Sequence, residues 1–348
     1  MNIPGPTLGT QLSGAGNNFG VARLVAALVV VLGHCAPISG ATEPAAMSLF
    51  LHNAWVGNYA VESFFVLSGL LVTRSFLSGR KSVARFAVAR VLRLYPALIC
   101  GVVISVVLAI LCNANAAQVT LSDRHTWEYA WKNITAWEFI SEINGAFPGN
   151  PLAGGPNGSL WTLPIEVRMY VWVGLLGALG TLARPRIGVP LIAVTMLFIV
   201  FSAWAPPRWL LGDWQVLFAA EFMAGMVAYL LRDHLRLSFG AALALVALYA
   251  GTAALADASS AAVVFACCLP YWLLVLTCHP AIPPLGLPGD YSYGVYVYAF
   301  PLQQTIAWLW PGIALGAMIA VSVTLILGVA ALSWHVLEAP LLRLKPVP

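Results

Sequence analysis

Apolar residues run in long blocks along this chain, separated by short polar or Gly/Pro-rich breaks. The blocks fall at residues 20–37, 57–77, 94–112, 161–182, 187–204, 214–231, 238–256, 261–276, 291–309 and 313–335. Each is near the ~20 apolar residues that a helix rising about 1.5 Å per residue needs to cross a bilayer. The pattern therefore predicts an all-α polytopic membrane protein, a bundle of about ten transmembrane helices. The boundary between the last two blocks is soft, because AWLWPGIALG leaves only a short turn.

The longest stretch outside the blocks is about 113–160. There Trp127, Trp131, Trp137 and Phe139 interleave with Glu128, Lys132, Glu138 and Glu142, and AFPGNPLAGGPNGS follows. This reads as a short amphipathic helix at the outer interface and then an irregular loop, serving as a connector or as a lid over a substrate.

Composition rules out a soluble domain: 60% of residues are hydrophobic and only 9% charged, so too few charges exist to cover the apolar surface. Charge distribution then gives an orientation. The loop after the second block holds Arg74, Arg80, Lys81, Arg85, Arg90 and Arg93, and placing it in the cytoplasm brings Arg184, Arg186, Arg232, Arg236, Arg343 and Lys345 to the same side. Arg124, Lys132 and Arg208 are left outside, the bias expected of cytoplasmic loops. Residues 1–18 and 341–348 are then a cytoplasmic N-terminal segment and tail. The basic loop would also meet anionic membrane lipids or an anionic cytosolic ligand. The opening residues have no basic n-region or cleavage site, so a removable signal peptide is not expected. Nothing resembles a zinc-type cysteine cluster, a GxGxxG or P-loop, or a nucleic-acid module, so neither a metal nor a nucleic-acid partner is expected. Cys35 and Cys112 share the outer side in this topology, where packing is preferred to a disulfide.

Polar groups inside the blocks carry the chemistry. Arg23 and His34 flank LVAALVVVLG in the first block. Their spacing brings them to within about 20° of one helix face and separates them by roughly 16 Å along the axis. An Arg at membrane depth is costly unless it meets water or a counter-charge, so this stripe reads as the wall of a polar cavity. Glu62 and Glu166 fall near the depth of His34, where either carboxylate could orient the imidazole as a general base. Arg168 could pair with Glu221, and Glu338 is expected in a salt bridge to the basic cluster. Tyr291, Tyr293, Tyr296 and Tyr298 suit either a cavity wall or interfacial anchoring. Such buried Arg, His and Glu residues would equally fit a proton-coupled membrane transporter.

Six motifs occur in order: Arg23 and His34 with ten residues between, VESFFVLSG at 61–69, RVLRLYP at 90–96, SLWTLPIE at 159–166, SYGVYVYAFP at 292–301 and SWHVLEAP at 333–340. With them the chain closely resembles acyltransferase family 3, the integral membrane O-acyltransferases, in the form without an added SGNH-like domain. The resemblance spans about 18–340 and implies a membrane acyltransferase domain over 19–340. It implies transfer of an acyl group, most often acetyl, from cytosolic acyl-CoA to a hydroxyl of an extracytoplasmic polysaccharide or lipid-linked glycan. It also implies a bacterial inner membrane and no tightly bound cofactor. His34 would be the general base, with Glu62 or Glu166 orienting it. Arg23 would hold the donor or stabilise developing charge, and Arg90, Arg93 and Tyr95 would lie on the donor side. Ala299 stands where the family often has His, so a second imidazole is absent there. Direct transfer and an acyl-histidine route both fit.

Overall fold

The computed structural model describes residues 6–14, 16–42, 55–78, 82–113, 120–204 and 216–345. Arg80, Lys81 and Arg208 lie outside them. A short helix, α1 (Leu8–Ser13), precedes α2 (Phe19–Ser39), α3 (Val56–Ser78) and α4 (Val83–Leu111). Next come α5 (Arg124–Thr135), a 3-10 turn (Gly158–Thr162), α6 (Leu163–Ala178), α7 (Pro185–Trp204) and α8 (Val216–Leu230). The chain closes with α9 (Phe239–Leu255), α10 (Ala258–Cys278), α11 (Ser292–Leu309), α12 (Leu315–Ser333), a π-helical turn (Trp334–Glu338) and α13 (Ala339–Leu342). No strand occurs among the described residues.

Every expected block meets a helix, and the protein is a polytopic helical membrane protein. Five segments are long and apolar enough by themselves to cross a bilayer: Phe19–Ser39, Val56–Ser78, Val83–Leu111, Ser260–Cys278 and Leu315–Leu342. Three shorter apolar helices, Pro185–Phe201, Leu217–Leu230 and Phe239–Leu255, accompany them.

One boundary differs from the sequence reading in a way that matters for the site. The segment carrying Arg85, Arg90 and Arg93 is not a loop: α4 begins at Val83, and Arg74 lies on α3. Ser82 caps α4 by accepting a hydrogen bond from the Arg85 amide at 3.5 Å. Ala, Leu and Arg are good helix formers and recur through this segment, so dense charge there does not mark a break. The arginines are thus held at fixed helical positions.

The centre of the bundle is α11, where every residue from Ser292 to Pro301 is buried. It packs against α2, α4 and α12. Gln303 ties it to α2, donating to the Val31 carbonyl at 2.9 Å. The loop after α5 is also pinned to α11, because Gln304 donates to the Leu152 and Gly155 carbonyls at 2.6 and 2.8 Å. On the other side of the core, α3 and α8 approach closely through glycine. A Cβ at Gly69 would collide with the Phe222 carbonyl, and one at Gly225 with the Val66 carbonyl.

The helix α5 matches the amphipathic segment read from sequence, with Trp127 and Trp131 exposed. Cys35 and Cys112 are free thiols.

Candidate active site

The basic end of the bundle is organised by an acid that the sequence reading passed over. Asp290 lies just before α11, and its Oδ2 accepts from Arg23 Nη1 and from Arg93 Nη2, each at 2.7 Å. Arg93 also donates through Nη1 to Glu338 Oε2 at 3.2 Å, the expected salt bridge of Glu338 to the basic cluster. Ser292 donates to Asp290 Oδ1 at 2.6 Å, and Ser333 donates to Glu338 Oε1 at 3.0 Å. Burial alone would raise the Asp290 carboxyl, but the Arg23 and Arg93 guanidinia outweigh it and hold it well below the usual carboxylate range. This network joins α2, α4, the lead into α11 and the π-helical turn.

Two adjoining cavities of about 40 and 50 Å³ open beside it, sharing Arg23, Ser68, Glu166 and Tyr293 as walls. Each has room for a few waters. Glu166 accepts a short hydrogen bond from the Tyr170 hydroxyl one helical turn away. Arg90 lies over the Tyr170 and Phe86 rings at 5.6 and 5.7 Å, and its Nε has no hydrogen-bond partner. Tyr95 donates to the Thr135 carbonyl at 3.1 Å and lines a separate crevice with Arg90.

His34 occupies the other end of the same α2–α11 seam. Its ring packs on Trp55 at 4.7 Å and meets the edge of Phe300 at 5.0 Å. Trp55 is held in turn by donating to the Gly33 carbonyl at 3.0 Å. Arg23 thus meets the lead into α11 and His34 meets α11 itself, so the two do share the helix face expected from their spacing. The Nδ1 of His34 is buried with no hydrogen-bond partner.

The carboxylates do not gather at that imidazole. Glu166 faces the Arg23 cavity, whereas Glu62 turns to another cavity beside α8. Equal depth did not mean equal face: Val61, Phe65 and Ser68 share a side of α3, and Glu62 lies about 100° around the helix from Val61. The expected Arg168–Glu221 pair is absent as well, since Arg168 donates to the Trp137 carbonyl at 3.0 Å and stacks on the Trp137 ring. Tyr293 and Tyr296 are cavity walls, each anchored by its hydroxyl, to the Leu94 carbonyl at 2.9 Å and to the Ser159 carbonyl at 2.6 Å. A sequence signal for Asp290 did exist: it is an acid at the entry to a block, on the side where the arginines cluster.

The model of a family described as an acyltransferase domain matches residues 17–336. An O-acetyl transferase of Shigella phage Sf6 is 28% identical, over 92% of this chain and 95% of its own length. Nodulation protein 10 of Rhizobium leguminosarum bv. viciae is 26% identical, over 96% of this chain and 95% of its own. No solved structure matches.

Proposed function

As the chain belongs to the acyltransferase family, we propose that it moves an acyl group, acetyl above all, from acyl-CoA to a hydroxyl of an extracytoplasmic polysaccharide or glycolipid. The observation that carries this reading is the buried, unfilled ring nitrogen of His34 on the same helix seam as Arg23. The acceptor hydroxyl gives its proton to the His34 ring as its oxygen attacks the thioester carbonyl. The C–S bond then breaks, and the imidazolium returns the proton to the departing thiolate. No covalent enzyme intermediate is needed.

Arg23, Arg90 and Arg93 face the donor, on the end of the bundle that the positive-inside bias favours for the cytoplasm; a bacterial inner membrane is the setting that the family resemblance implies. Arg90 offers an unfilled donor group, while Arg23 and Arg93 are already engaged by Asp290. Glu166 borders both cavities and Tyr170 one of them, and both would position the thioester arm. Cavities of about 40 and 50 Å³ are too small for that arm, so donor entry requires the helices around Arg23 to part.

The test is mass spectrometry of ester-linked acyl groups on envelope glycans, comparing cells that make the intact protein with cells that make equal amounts of His34→Ala. An added acyl mass found only with the intact protein is the expected result. Equal acylation in both removes His34 from the mechanism.

A further inference from the structure

Across α3 from the Arg23 cavities, a separate cavity of about 460 Å³ is lined by Glu62 of α3 and Glu221 of α8. Its other walls come from α7 and α10 and are apolar apart from the Cys267 thiol. Glu221 is only 4% exposed. The Oε2 atoms of both glutamates are buried and without a hydrogen-bond partner. No Lys, Arg or His lines the cavity among the described residues, and Arg168 is held by Trp137 instead. The contacts of Gly69 with Phe222 and of Gly225 with Val66 hold the facing segments of α3 and α8 in close approach.

Two carboxylates facing one apolar space cannot both stay charged without a counter-ion, because each buried charge is costly and like charges add to that cost. A divalent cation is a poor answer. Calcium takes about six to eight oxygen ligands and magnesium a full octahedron, yet among the described residues the lining side chains offer only carboxylate oxygens and a thiol. A proton needs no such shell. We propose that Glu62 and Glu221 form a proton-binding carboxyl pair that holds at least one exchangeable proton at neutral pH.

Among the described residues, the other titratable groups close by are Tyr59 on α3 and Tyr249 on α9, which both meet the Phe265 ring edge to face, and Cys267 on α10. Arg23 and His34 of α2, Glu166, Arg168 and Tyr170 of α6, and Arg90 and Arg93 of α4 do not line this cavity. The only titratable side chain of α7, Arg186, does not line it either, nor does Tyr229 of α8. None supplies a counter-charge there. The site is independent of the acyl-transfer reading and is tested without any acyl donor or acceptor.

Infrared difference spectra of the purified full-length protein, intact against Glu62→Gln and Glu221→Gln, read the state of each carboxyl at pH 7. The expected result is a carbonyl band of an un-ionised carboxylic acid, shifted in heavy water, that at least one substitution removes and that added sodium chloride leaves unchanged. No such band lost in either variant, or a band abolished by sodium, overturns the proposal. Gln has the shape of the protonated acid, so unfolding provides a second reading. The double Gln variant should unfold at or above the midpoint of the intact protein at pH 7, and a lower midpoint in this variant would show that charged carboxylates, not a held proton, stabilise the site.

Discussion

Replacing Asp290 with Asn tests the assignment of that residue as the counter-charge of the basic end. The substitution keeps shape and the Ser292 contact but removes the charge that faces two guanidinia at 2.7 Å. The groups are mostly out of solvent: side-chain exposure is 28% for Asp290, 19% for Arg23 and 13% for Arg93. Removing one partner of a buried pair costs about 3–5 kcal/mol. Arg93 keeps Glu338 and Asp290 retains some water, so the lower end applies: about 3 kcal/mol, on the order of a hundredfold in the folding equilibrium. Because the folded-state carboxyl is depressed, its contribution is complete above the unfolded value of about 3.9 and is lost only as pH falls through the lower folded value. The penalty should therefore be flat between about pH 5 and 8 and shrink in strong acid. Reversible unfolding of the purified full-length protein measures it, with Arg23→Gln and the double variant completing a cycle. A loss under about 0.5 kcal/mol, or strict additivity of the two substitutions, would refute the ion pair as a source of stability.

Two further outcomes follow from the packing and from the tail. Gly69→Ala should cost about 1–3 kcal/mol, since its Cβ meets the rigid Phe222 carbonyl, whereas Gly328→Ala, which has open space around it, should be neutral or gain up to about 1 kcal/mol; unfolding midpoints and folded yield separate them. Burial, with Arg90 and Arg93 nearby, lowers the Lys345 ammonium to about 8. Between that value and the free lysine value of about 10.4 the unfolded chain binds more protons, so stability should rise with pH over this window, and Lys345→Gln should abolish the rise in a pH series of unfolding midpoints.

The helices were legible because a bilayer demands long apolar runs, and each such run in the sequence meets a helix. What sequence could not give was rotation and pairing. Depth along a helix follows from residue number, so Glu62 and Glu166 were placed near the level of His34, but which neighbour each helix face meets depends on packing. The Gly69 and Gly225 contacts draw α3 against α8 and leave Glu62 facing Glu221. Arg23 and His34 fared better because both lie on one helix, where spacing alone fixes their relative direction. The arginines of α4 were mistaken for a loop because dense charge resembles a break, though Asp290 and Glu338 wait to receive Arg93. The choice between an acyltransferase and a transporter was likewise beyond the buried polar residues, which suit either. The family match decides it.

The charge balance at the basic end narrows how a donor would be received. Arg23 and Arg93 face Asp290 and Glu338 in a quartet whose formal charges cancel, so an anionic ligand reaching either guanidinium must compete with a carboxylate already at hydrogen-bond distance. Arg90 is different: aromatic rings and the Ser75 hydroxyl surround it, no carboxylate pairs with it among the described residues, and its Nε is unfilled. Under the proposed function, then, the first phosphate contact falls to Arg90. The quartet stands between the Arg23 cavities and the π-helical turn that carries Glu338. Its opening, by a donor strong enough to draw Arg23 or Arg93 from Asp290, would be what widens a cleft that now has room only for water.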